Sequence, residues 1–273
     1  MKYQELPPPA YLKNHVRYFW TLESNDVAHV PKIFGPMADG CPGLIFQQSA
    51  SGTFYQENKE LPDLLLYGQT TKYTELHVTG TICSIGVCCY PHALKSVFGL
   101  NADELTNSCL DLDILSASRD FYLAERLGNT PSLTEKIAVI AAFLFKQINE
   151  NSTPADEVTH FALSQIIASG GSIPLKDLQQ QLQLTERSFE RRFKQGVGIS
   201  PKLFSRICRF QNSLKQLKSN NYSKLSDIAF EHDYADQSHY IRAFKEFAGF
   251  SPYQYQKKST EAEAGSNFLL MTR

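Results

Sequence analysis

The sequence predicts an α+β protein. We expect an amino-terminal β-rich module, then a helical connection, and then an all-α domain of two helix-turn-helix units joined by a linker helix. Three observations predict this fold. Runs of strand-forming residues fill the chain up to about Tyr90. Beyond residue 170 the apolar residues follow helical spacing. Within that helical part, one pattern of residues occurs twice at a constant separation.

Residues 1–100 are predicted to form the β-rich module, which we expect to act as a sensor. Segments rich in β-branched and aromatic residues, bounded by Gly, Pro, Asn or Ser, predict the strands VRYFWTL, GLIFQQ, TFYQEN, DLLLYGQT and TELHVTGTICSIGVCCY. After Pro91 the segment HALKSVFGL predicts one short helix. Five aromatic residues of the strands either line a ligand pocket or form the core: Tyr18, Trp20, Phe46, Phe54 and Tyr55. The sequence does not identify a ligand.

Residues 101–169 are predicted to be a helical connection. Five aliphatic residues fall on one helical stripe, at spacings of four, three, four and four: Leu133, Ile137, Ile140, Leu144 and Ile148. The stripe either covers the β module within one chain or forms the contact of a homodimer. The segment SGGS, residues 169–172, is the expected hinge before the domain at 170–258. Residues 259–273 are expected to form a flexible tail.

Residues 170–258 contain the repeated unit. At an offset of 51, Phe189, Phe193, Gly198, Ser200 and Pro201 of the first copy recur as Tyr240, Phe244, Gly249, Ser251 and Pro252 of the second. In each copy an apolar helix edge leads to a turn closed by an apolar residue, Leu184 or Tyr234. A capping residue, Thr185 or Asp236, then starts the next helix. This order of features is the sequence form of a helix-turn-helix.

The second helix of each unit is predicted to contact DNA. Since Phe189 and Phe193 lie four residues apart and face the core, the polar residues around them must lie on the opposite side. The expected DNA-binding residues are Arg187, Ser188, Glu190, Arg191 and Lys194 in the first copy and Gln237, Ser238, His239, Arg242 and Lys245 in the second. Arginine can hold guanine through two hydrogen bonds, glutamate accepts from cytosine N4, and the other polar types can bond base edges or phosphates. The alternative is two ordinary solvated helix faces.

A linker helix is predicted between the two units. The segment PKLFSRICRFQNSLKQLKS can form one helix of about 17 residues, roughly 25 Å long. Two recognition helices enter successive major grooves on one face of B-DNA when they lie about 34 Å apart, which is one duplex turn. We therefore expect one chain to bind two short segments of DNA about 10 base pairs apart.

The charge is divided unevenly along the chain. Residues 1–170 carry 11 Lys and Arg against 18 Asp and Glu, a net charge of −7. Residues 171–258 carry 15 against 8, a net charge of +7. Only the second part is therefore expected to meet a polyanion. The alternative is ordinary variation of surface charge.

Membrane insertion, disulfide bonding, metal binding and catalysis are all disfavoured by the sequence. No apolar run approaches the ~20 residues that span a bilayer, and the first residues lack a signal peptide, so we expect a cytoplasmic protein with no membrane partner. Six scattered cysteines predict reduced thiols. No metal or cofactor is expected, because one candidate set matches no zinc spacing: His77, Cys83, Cys88, Cys89 and His92. No catalytic residue is assigned, since the sequence has no nucleophile elbow, phosphate-binding loop or recognisable acid–base pair.

Residues 170–258 resemble the DNA-binding domain of AraC-type (AraC/XylS) bacterial transcription regulators. The second copy, IAFEHDYADQSHYIRAFKEFAGFSPYQY, is very close to that family's signature, and SPKLFSRICRFQNSLKQL is similar to its linker helix. The first copy departs at Gln179, where the family usually has an alanine that lets the two helices cross closely. The resemblance implies a sequence-specific transcription regulator, expected to be an activator, with double-stranded DNA and RNA polymerase as partners.

The front half is similar to the uncharacterised amino-terminal module of one AraC subgroup. The likeness rests on YFWTLES, ADGCPGLIF and GVCCYPHALKSVFGLNADELTNSCLDLDIL. It supplies no ligand, but it implies control through this module, by a small-molecule effector or by pairing into a homodimer. By analogy with the sensor modules of this family, a small, cupin-like barrel is the expected architecture of the module. The alternative function is an enzyme or a DNA-repair protein that carries the helical part as a DNA-targeting domain.

Overall fold

The front part of the chain folds into two β-sheets. The computed structural model describes residues 2–24, 32–48, 52–118, 120–151, 153, 156–263 and 268–271. The strands within these ranges are β1 (Lys2–Leu6), β2 (Val16–Ser24), β3 (Lys32–Pro36), β4 (Gly43–Gln47), β5 (Gly52–Gln56), β6 (Lys59–Glu60), β7 (Leu64–Tyr67), β8 (Leu76–Gly80), β9 (Ile82–Cys89), β10 (Cys109–Asp111) and β11 (Phe268–Met271). The predicted β-rich module is confirmed.

The two sheets face each other across an apolar layer. The larger sheet has the order β1-β2-β9-β4-β7-β10, and the smaller has the order β11-β3-β8-β5-β6. Trp20 and Ile45 of the larger sheet pack in one cluster with Phe34 and Phe54 of the smaller sheet. Trp20 can lie close over β9 because residue 86 is a glycine, where a Cβ atom would come within 1.9 Å of the indole. The module is therefore a pair of packed sheets with an aromatic centre.

Helices cover the opposite face of the larger sheet. They are α1 (Ala93–Phe98), α2 (Leu112–Ala117), α3 (Leu123–Asn129) and α4 (Leu133–Glu150), with short 3-10 helices at Ala10–Leu12 and Ala102–Leu105. Ile140 and Leu144 of α4 are buried against this face, and the other three residues of the predicted stripe pack on the same cluster. Of the two roles considered for the stripe, this packing supports the cover over the β module within one chain.

The remaining helices form the second domain. They are α5 (Glu157–Ala168), α6 (Leu175–Gln181), α7 (Glu186–Val197), α8 (Pro201–Ser219), α9 (Leu225–Glu231), α10 (Gln237–Ala248) and α11 (Pro252–Glu263). The structure differs from the expected boundary and hinge at 169–172, because Ala162, Leu163 and Ile166 of α5 lie in the core of this domain. Gly171 is packed, since a Cβ there would lie 2.2 Å from the carbonyl oxygen of Ser205.

The two domains share a core. Met37 and Ala38 belong to residues 37–42, here called the clamp loop, which connects β3 to β4. Both side chains are buried among the helices of the second domain. The backbone N–H of Ala38 donates to the carbonyl of Phe247 at 3.2 Å, and the side-chain amide of Gln211 donates to the carbonyl of Ala38 at 2.6 Å. The clamp loop therefore joins the β module to α8 and α10.

The described residues of the last segment, which was expected to form a flexible tail, contain regular secondary structure. Helix α11 extends to Glu263, and β11 pairs in parallel with β3 from Phe268 opposite Ile33 to Met271 opposite Pro36. The sequence FLLM is apolar and can extend the smaller sheet by backbone pairing at its edge.

Candidate nucleic-acid interface

The first helix-turn-helix consists of α6 and α7. The hydroxyl of Thr185 accepts from the backbone N–H of Ser188 at 3.2 Å and caps α7. Phe189 and Phe193 are buried, which fixes the rotation of the helix. The predicted side chains Arg187, Glu190, Arg191 and Lys194 are exposed, and Ser188 is half-buried. The structure therefore brings these five residues together on the first two turns and the outer face of one helix.

The second helix-turn-helix repeats this arrangement in α9 and α10. The carboxylate of Asp236 accepts from the backbone N–H of His239 at 2.7 Å and caps α10. Tyr240, Phe244 and Phe247 are buried on the inner side. The predicted side chains Gln237, Ser238, Arg242 and Lys245 are exposed, and His239 is half-buried. Both copies thus present a polar helix face that begins at a capped amino terminus.

His239 has a more restricted role than its neighbours. Its ring packs edge-on against Tyr234 at a centroid distance of 5.4 Å. Its Nδ1 accepts from the backbone N–H of Ala235 at 3.3 Å, which assigns the proton of the neutral ring to Nε2. His239 is therefore available to DNA as a donor through Nε2 and not as an acceptor.

The two turns have the same backbone form. Gln183 and Asp233 precede Leu184 and Tyr234, the apolar residues that close the two turns. Both adopt a left-handed conformation, with φ of 53° and 55°. Where the second copy has the buried Ala229, the first copy has Gln179, whose side-chain amide donates to the carbonyl of Leu184 at 2.9 Å. The larger residue is thus accommodated because it bonds across the turn.

An ion pair that sequence inspection missed attaches α7 to α5. Arg192 Nε lies 2.9 and 3.0 Å from the two carboxylate oxygens of Asp156, which also caps α5 through the N–H of Thr159. Burial opposes ionisation, but the hydrogen bonds from Thr159 and Arg192 outweigh it and hold the pKa of Asp156 below its usual value. The two residues are 36 positions apart, so local sequence patterns cannot indicate that they pair. The sequence indicates only that Asp156 is of a residue type that caps helices.

Helix α8 holds both recognition helices. Phe204 packs on Phe193 at a ring-centroid distance of 5.8 Å, and Phe210 packs on Phe244 at 5.3 Å. Its 19 residues extend the predicted linker helix slightly. On the surface, Arg209 of α8 donates to the carbonyl of Asp233 in the second turn at 3.3 Å. One helix thus fixes the relative position of the two predicted DNA-binding faces.

The β module has a partly open cavity of about 780 Å³. Of the five aromatic residues expected at a pocket, Tyr18 and Trp20 line it, whereas Phe46 packs on the opposite face of the sheet, against the helices. Phe54 lies in the layer between the sheets. The lining combines aromatic rings with acidic and basic groups, including Asp39 and Lys72. Desolvation raises the pKa of Asp39 to about 6, although the N–H of Cys41 and the guanidinium of Arg17 oppose the shift.

The cysteines are thiols, and none of the six forms a disulfide. Cys89 packs in the core beneath the helices, on the face of β9 opposite to Cys88. Burial raises the pKa of the thiols of Cys41 and Cys89 well above the usual range. Within the described residues, the five side chains first considered as metal ligands do not form one cluster.

Two families match different parts of the chain. Residues 4–111 match a family described as "Domain of unknown function (DUF6597)", and residues 178–258 match one described as "Helix-turn-helix domain". Over 83 residues the chain is 32% identical to an "Uncharacterized HTH-type transcriptional regulator" of Haemophilus influenzae. That alignment covers 30% of this chain and 28% of the relative. Among the described residues, no helix has the length and apolar content needed to cross a membrane.

Several solved structures match the chain over most of its length, with low TM-scores. ToxT from Vibrio cholerae O395 matches with a TM-score of 0.44 and 14% identity over 87% of this chain and 96% of that chain. An unsaturated fatty acid-bound ToxT from Vibrio cholerae strain SCE256 matches with a TM-score of 0.41 and 12% identity, over 86% and 96% of the two chains. The AraC-like transcriptional activator CuxR matches with a TM-score of 0.25 and 14% identity, over 74% and 75%. At these TM-scores and identities the matches carry no conclusion about this chain.

Proposed function

We propose that this chain is a transcription regulator, with an AraC-type helix-turn-helix domain behind a DUF6597 module. It binds one asymmetric DNA site through both of its recognition helices and activates transcription. The observation that carries the proposal is the presence of two helix-turn-helix units with exposed polar faces on α7 and α10, both packed on one rigid helix. The helix-turn-helix match and the similarity to a transcriptional regulator favour regulation over the alternative of an enzyme with a DNA-targeting domain.

The two faces would recognise different bases. Arg187, Glu190 and Arg191 stand where the second copy has Ser238, Ile241 and Arg242. An arginine can hold a guanine through two hydrogen bonds, whereas an isoleucine can only make apolar contact with a base such as thymine. The lysines at the ends of both faces, Lys194 and Lys245, would contact phosphates and add affinity for any sequence. Each chain therefore recognises a site without internal symmetry.

Control by a small-molecule effector is supported by the cavity between the sheets. Its volume of about 780 Å³ lies in the range of ligand pockets. Trp20 and Phe34 offer aromatic surfaces, and Asp39 and Lys72 offer polar anchors. The clamp loop, which contains Asp39, would carry the effect of ligand binding to α8 and α10. An effector with an aromatic ring and a polar substituent fits this lining.

A selection and spacing experiment tests the proposal. The full-length protein is used to select its site from a random duplex library, and the site is mapped by footprinting. We expect two protected major-groove segments about 10 base pairs apart on one face of the duplex. Inserting five base pairs between them rotates one segment to the far side, so the affinity should fall to the non-specific level, about a thousandfold or more. The matched control is a ten-base-pair insertion, which returns the two segments to the same face of the duplex but moves them farther apart. The affinity for this site should also fall to the non-specific level. Unchanged affinity after the five-base-pair insertion would show that only one copy binds DNA.

Activation and pairing need separate measurements. In vitro transcription with RNA polymerase from a promoter that carries the selected site should rise when the protein is added, and a fall would show repression. Light scattering on the full-length protein tests the predicted homodimer. A mass near 30.8 kDa at tens of micromolar would refute pairing in the absence of DNA. Any dimer contact must use a surface other than the buried stripe of α4.

A further inference from the structure

We propose that Asp39, Cys41 and Cys88 form a binding site for a zinc ion at the root of the clamp loop. Asp39 and Cys41 lie in the loop between β3 and β4, and Cys88 lies on β9 of the larger sheet. The residues come from the segments ADGCPGLIF and GVCCYPH, and neither segment takes part in the proposed contacts with DNA. Sequence spacing did not reveal the site, because its third ligand lies 47 positions after the second and is brought close only by strand pairing.

The three ligand atoms are already close together. A carboxylate oxygen of Asp39 and the sulfur atoms of Cys41 and Cys88 lie within 4.8 Å of one another. Around a tetrahedral zinc ion, with Zn–S bonds of about 2.3 Å and Zn–O bonds of about 2.1 Å, neighbouring ligand atoms are roughly 3.5–3.8 Å apart. A contraction of about 1 Å, within the reach of side-chain rotation, would therefore complete three of the four positions.

Backbone hydrogen bonds hold this arrangement. Asp39 accepts the N–H of Cys41 through Oδ1 at 2.9 Å. Gly40 has a φ of +74°, and its carbonyl accepts from the side-chain amide of Gln69 at 2.9 Å. The N–H of Cys89 donates to the carbonyl of Pro42 at 2.9 Å and ties the loop to the strand beside Cys88. The site is thus preorganised from both sides.

The donor set and the local charge both suit zinc. Two thiolates with one carboxylate form a set that favours zinc over the harder ions magnesium and calcium. The three anionic ligands and a divalent ion sum to −1, and the guanidinium of Arg17, whose Nη1 lies 3.4 Å from Cys41 Sγ, restores neutrality. A balanced buried charge avoids the cost of leaving a net charge in a low-dielectric environment. Asp39 and the nearby Tyr18 and Tyr67 also border the cavity, which gives a path for the metal and room for a water as fourth ligand.

Metal binding would reach the DNA-binding domain through the other side of the clamp loop, and this step rests on the proposed function. Met37 and Ala38 are buried in the helical core. A Cβ on Gly40 would lie 3.0 Å from the ring of Phe204, which shows how closely the loop approaches α8. Drawing Asp39 and Cys41 toward Cys88 would therefore shift the contacts of the loop with α8 and α10. The zinc site would act as a control point for docking of the two domains.

Cobalt spectroscopy on the full-length protein tests the site itself. The protein is purified with a chelator and a reductant and titrated with Co²⁺, then with Zn²⁺ against a chromophoric competitor. We expect one equivalent, a thiolate-to-cobalt charge-transfer band, and its loss when Zn²⁺ displaces the cobalt. Cys88→Ser and Asp39→Asn should each lower the zinc affinity at least tenfold. Asp39→Asn keeps the acceptor for the N–H of Cys41, so it is the variant least expected to disturb folding, which circular dichroism checks.

The matched control is Cys109→Ser, because Cys109 lines the same cavity but lies outside the cluster. This variant should bind cobalt and zinc like the wild type. Absence of the charge-transfer band in the reduced wild type overturns the site, as does an unchanged band and affinity in folded Cys88→Ser. Formation of a Cys41–Cys88 disulfide without any metal uptake would also overturn it, in favour of a redox pair.

A second arm tests the coupling to DNA. Affinity for the selected duplex is measured with and without one equivalent of Zn²⁺. We expect at least a threefold change in the wild type and in Cys109→Ser, and none in Cys88→Ser. An equal effect in all three refutes the coupling. The metal titration contains no DNA, so a chain that binds zinc but no specific duplex refutes the proposed function and leaves the metal site intact, and the converse result does the opposite.

Discussion

The two helix-turn-helix units share one framework and differ in the surface that they expose. Helices α6 and α9 have seven residues each, α7 and α10 have twelve each, and both recognition helices end at a glycine in the left-handed conformation, Gly198 and Gly249. The residues that pack are aromatic in both copies, whereas the outer faces carry different polar groups. The two units therefore share helix lengths and buried packing residues and differ in the exposed residues of the recognition helix.

The two copies are also attached to the rest of the molecule in different ways. The first is held by the helical connection, since the hydroxyl of Thr106 donates to the carbonyl of Gly198 at 2.6 Å. The second is held by the β module, since Tyr73 packs edge-on against Phe250 at a centroid distance of 4.9 Å. Both attachments lie at or near the carboxyl ends of the recognition helices. A change in the front module can therefore reach each copy through a separate contact, away from the capped amino ends of the two helices.

The largest expected effect compares the two cores. Phe193 and Phe244 occupy matching positions and are almost fully buried. Truncation to alanine should lower the free energy of unfolding by about 3–5 kcal/mol in each case. We expect the larger loss for Phe244→Ala, because its ring contacts three aromatic neighbours and that of Phe193 contacts two.

Urea denaturation measures this difference in the free energy of unfolding. The control is Phe230→Ala on α9, whose side chain is 67% exposed and should change the stability by less than about 0.5 kcal/mol. Equal small losses for both buried residues would mean that the two cores relax around the cavity, and the comparison of packing would then be wrong.

Acid should weaken the attachment on the side of the first copy. His92, the residue before α1, lies 4.3 Å, ring to ring, from His160 on α5 and 5.9 Å from His15. Burial, with smaller effects of His160 and His15, lowers the pKa of His92 to about 4, against an opposing hydrogen bond with the backbone of Asn14. An unfolded histidine titrates near 6.5, so the unfolded chain alone gains this proton between about pH 6.5 and pH 4. The stability is present above this interval and is lost as the pH falls through it, by about 2–3 kcal/mol after allowance for solvent access.

Denaturation at a series of pH values checks this loss of stability. The variant His92→Gln should flatten the dependence between pH 6.5 and pH 4. His77→Gln, at an exposed site on β8, should leave the dependence as it is in the wild type. An unchanged slope in His92→Gln would assign the acid sensitivity to another group.

The recognition faces are compared by one matched pair of arginines. Arg191→Ala and Arg242→Ala should each weaken specific DNA binding by about 1–3 kcal/mol and relax the preference at one base pair, each in its own segment of the site. Lys194→Ala should lower affinity for all sequences alike and reduce the salt dependence. Repeating the library selection with each variant gives the measurement. A site whose sequence preference stays complete in both arginine variants would refute the assignment.

The smallest effect concerns the ion pair of the first copy. Asp156→Ala removes both the cap of α5 and the partner of Arg192, and should lower the free energy of unfolding by about 1–2 kcal/mol. Asp156→Asn keeps a capping oxygen and loses only the charge, so its effect should stay below about 1 kcal/mol, as expected for a partly exposed pair. If the two variants were equally stable, the cap would contribute nothing.

Local features of the second domain could be predicted from the sequence, because each depends on residues close together in the chain. The caps at Thr185 and Asp236, the buried Phe189 and Tyr240 and the linker helix follow from side-chain type and spacing, and the structure has all of them. The strands before Pro91 follow from composition in the same way. Which residues contact which bases stays a prediction, since it depends on the DNA.

Features that depend on contacts between distant segments could not be predicted. Met37 and Ala38 lie in a short loop of the β module, and nothing local indicates that they are buried in the helical core. The stripe of α4 has the same periodicity whether it covers a sheet or another chain. The same holds for α5. It belongs to the second domain because its apolar residues pack against helices on the other side of the Gly-rich segment that was expected to be a hinge.

The packing of α8 against both recognition helices makes the length of this helix a geometric constant. Each residue added to an α-helix lengthens it by about 1.5 Å and turns everything beyond it by about 100°. One insertion within Pro201–Ser219 would therefore point the second recognition face away from the duplex, and even a whole added turn would displace it by about 5 Å along the axis. The separation and relative rotation of the two recognition helices can therefore change only by the increments that whole residues add to α8. This helix cannot adjust gradually to a different spacing between the two halves of the DNA site.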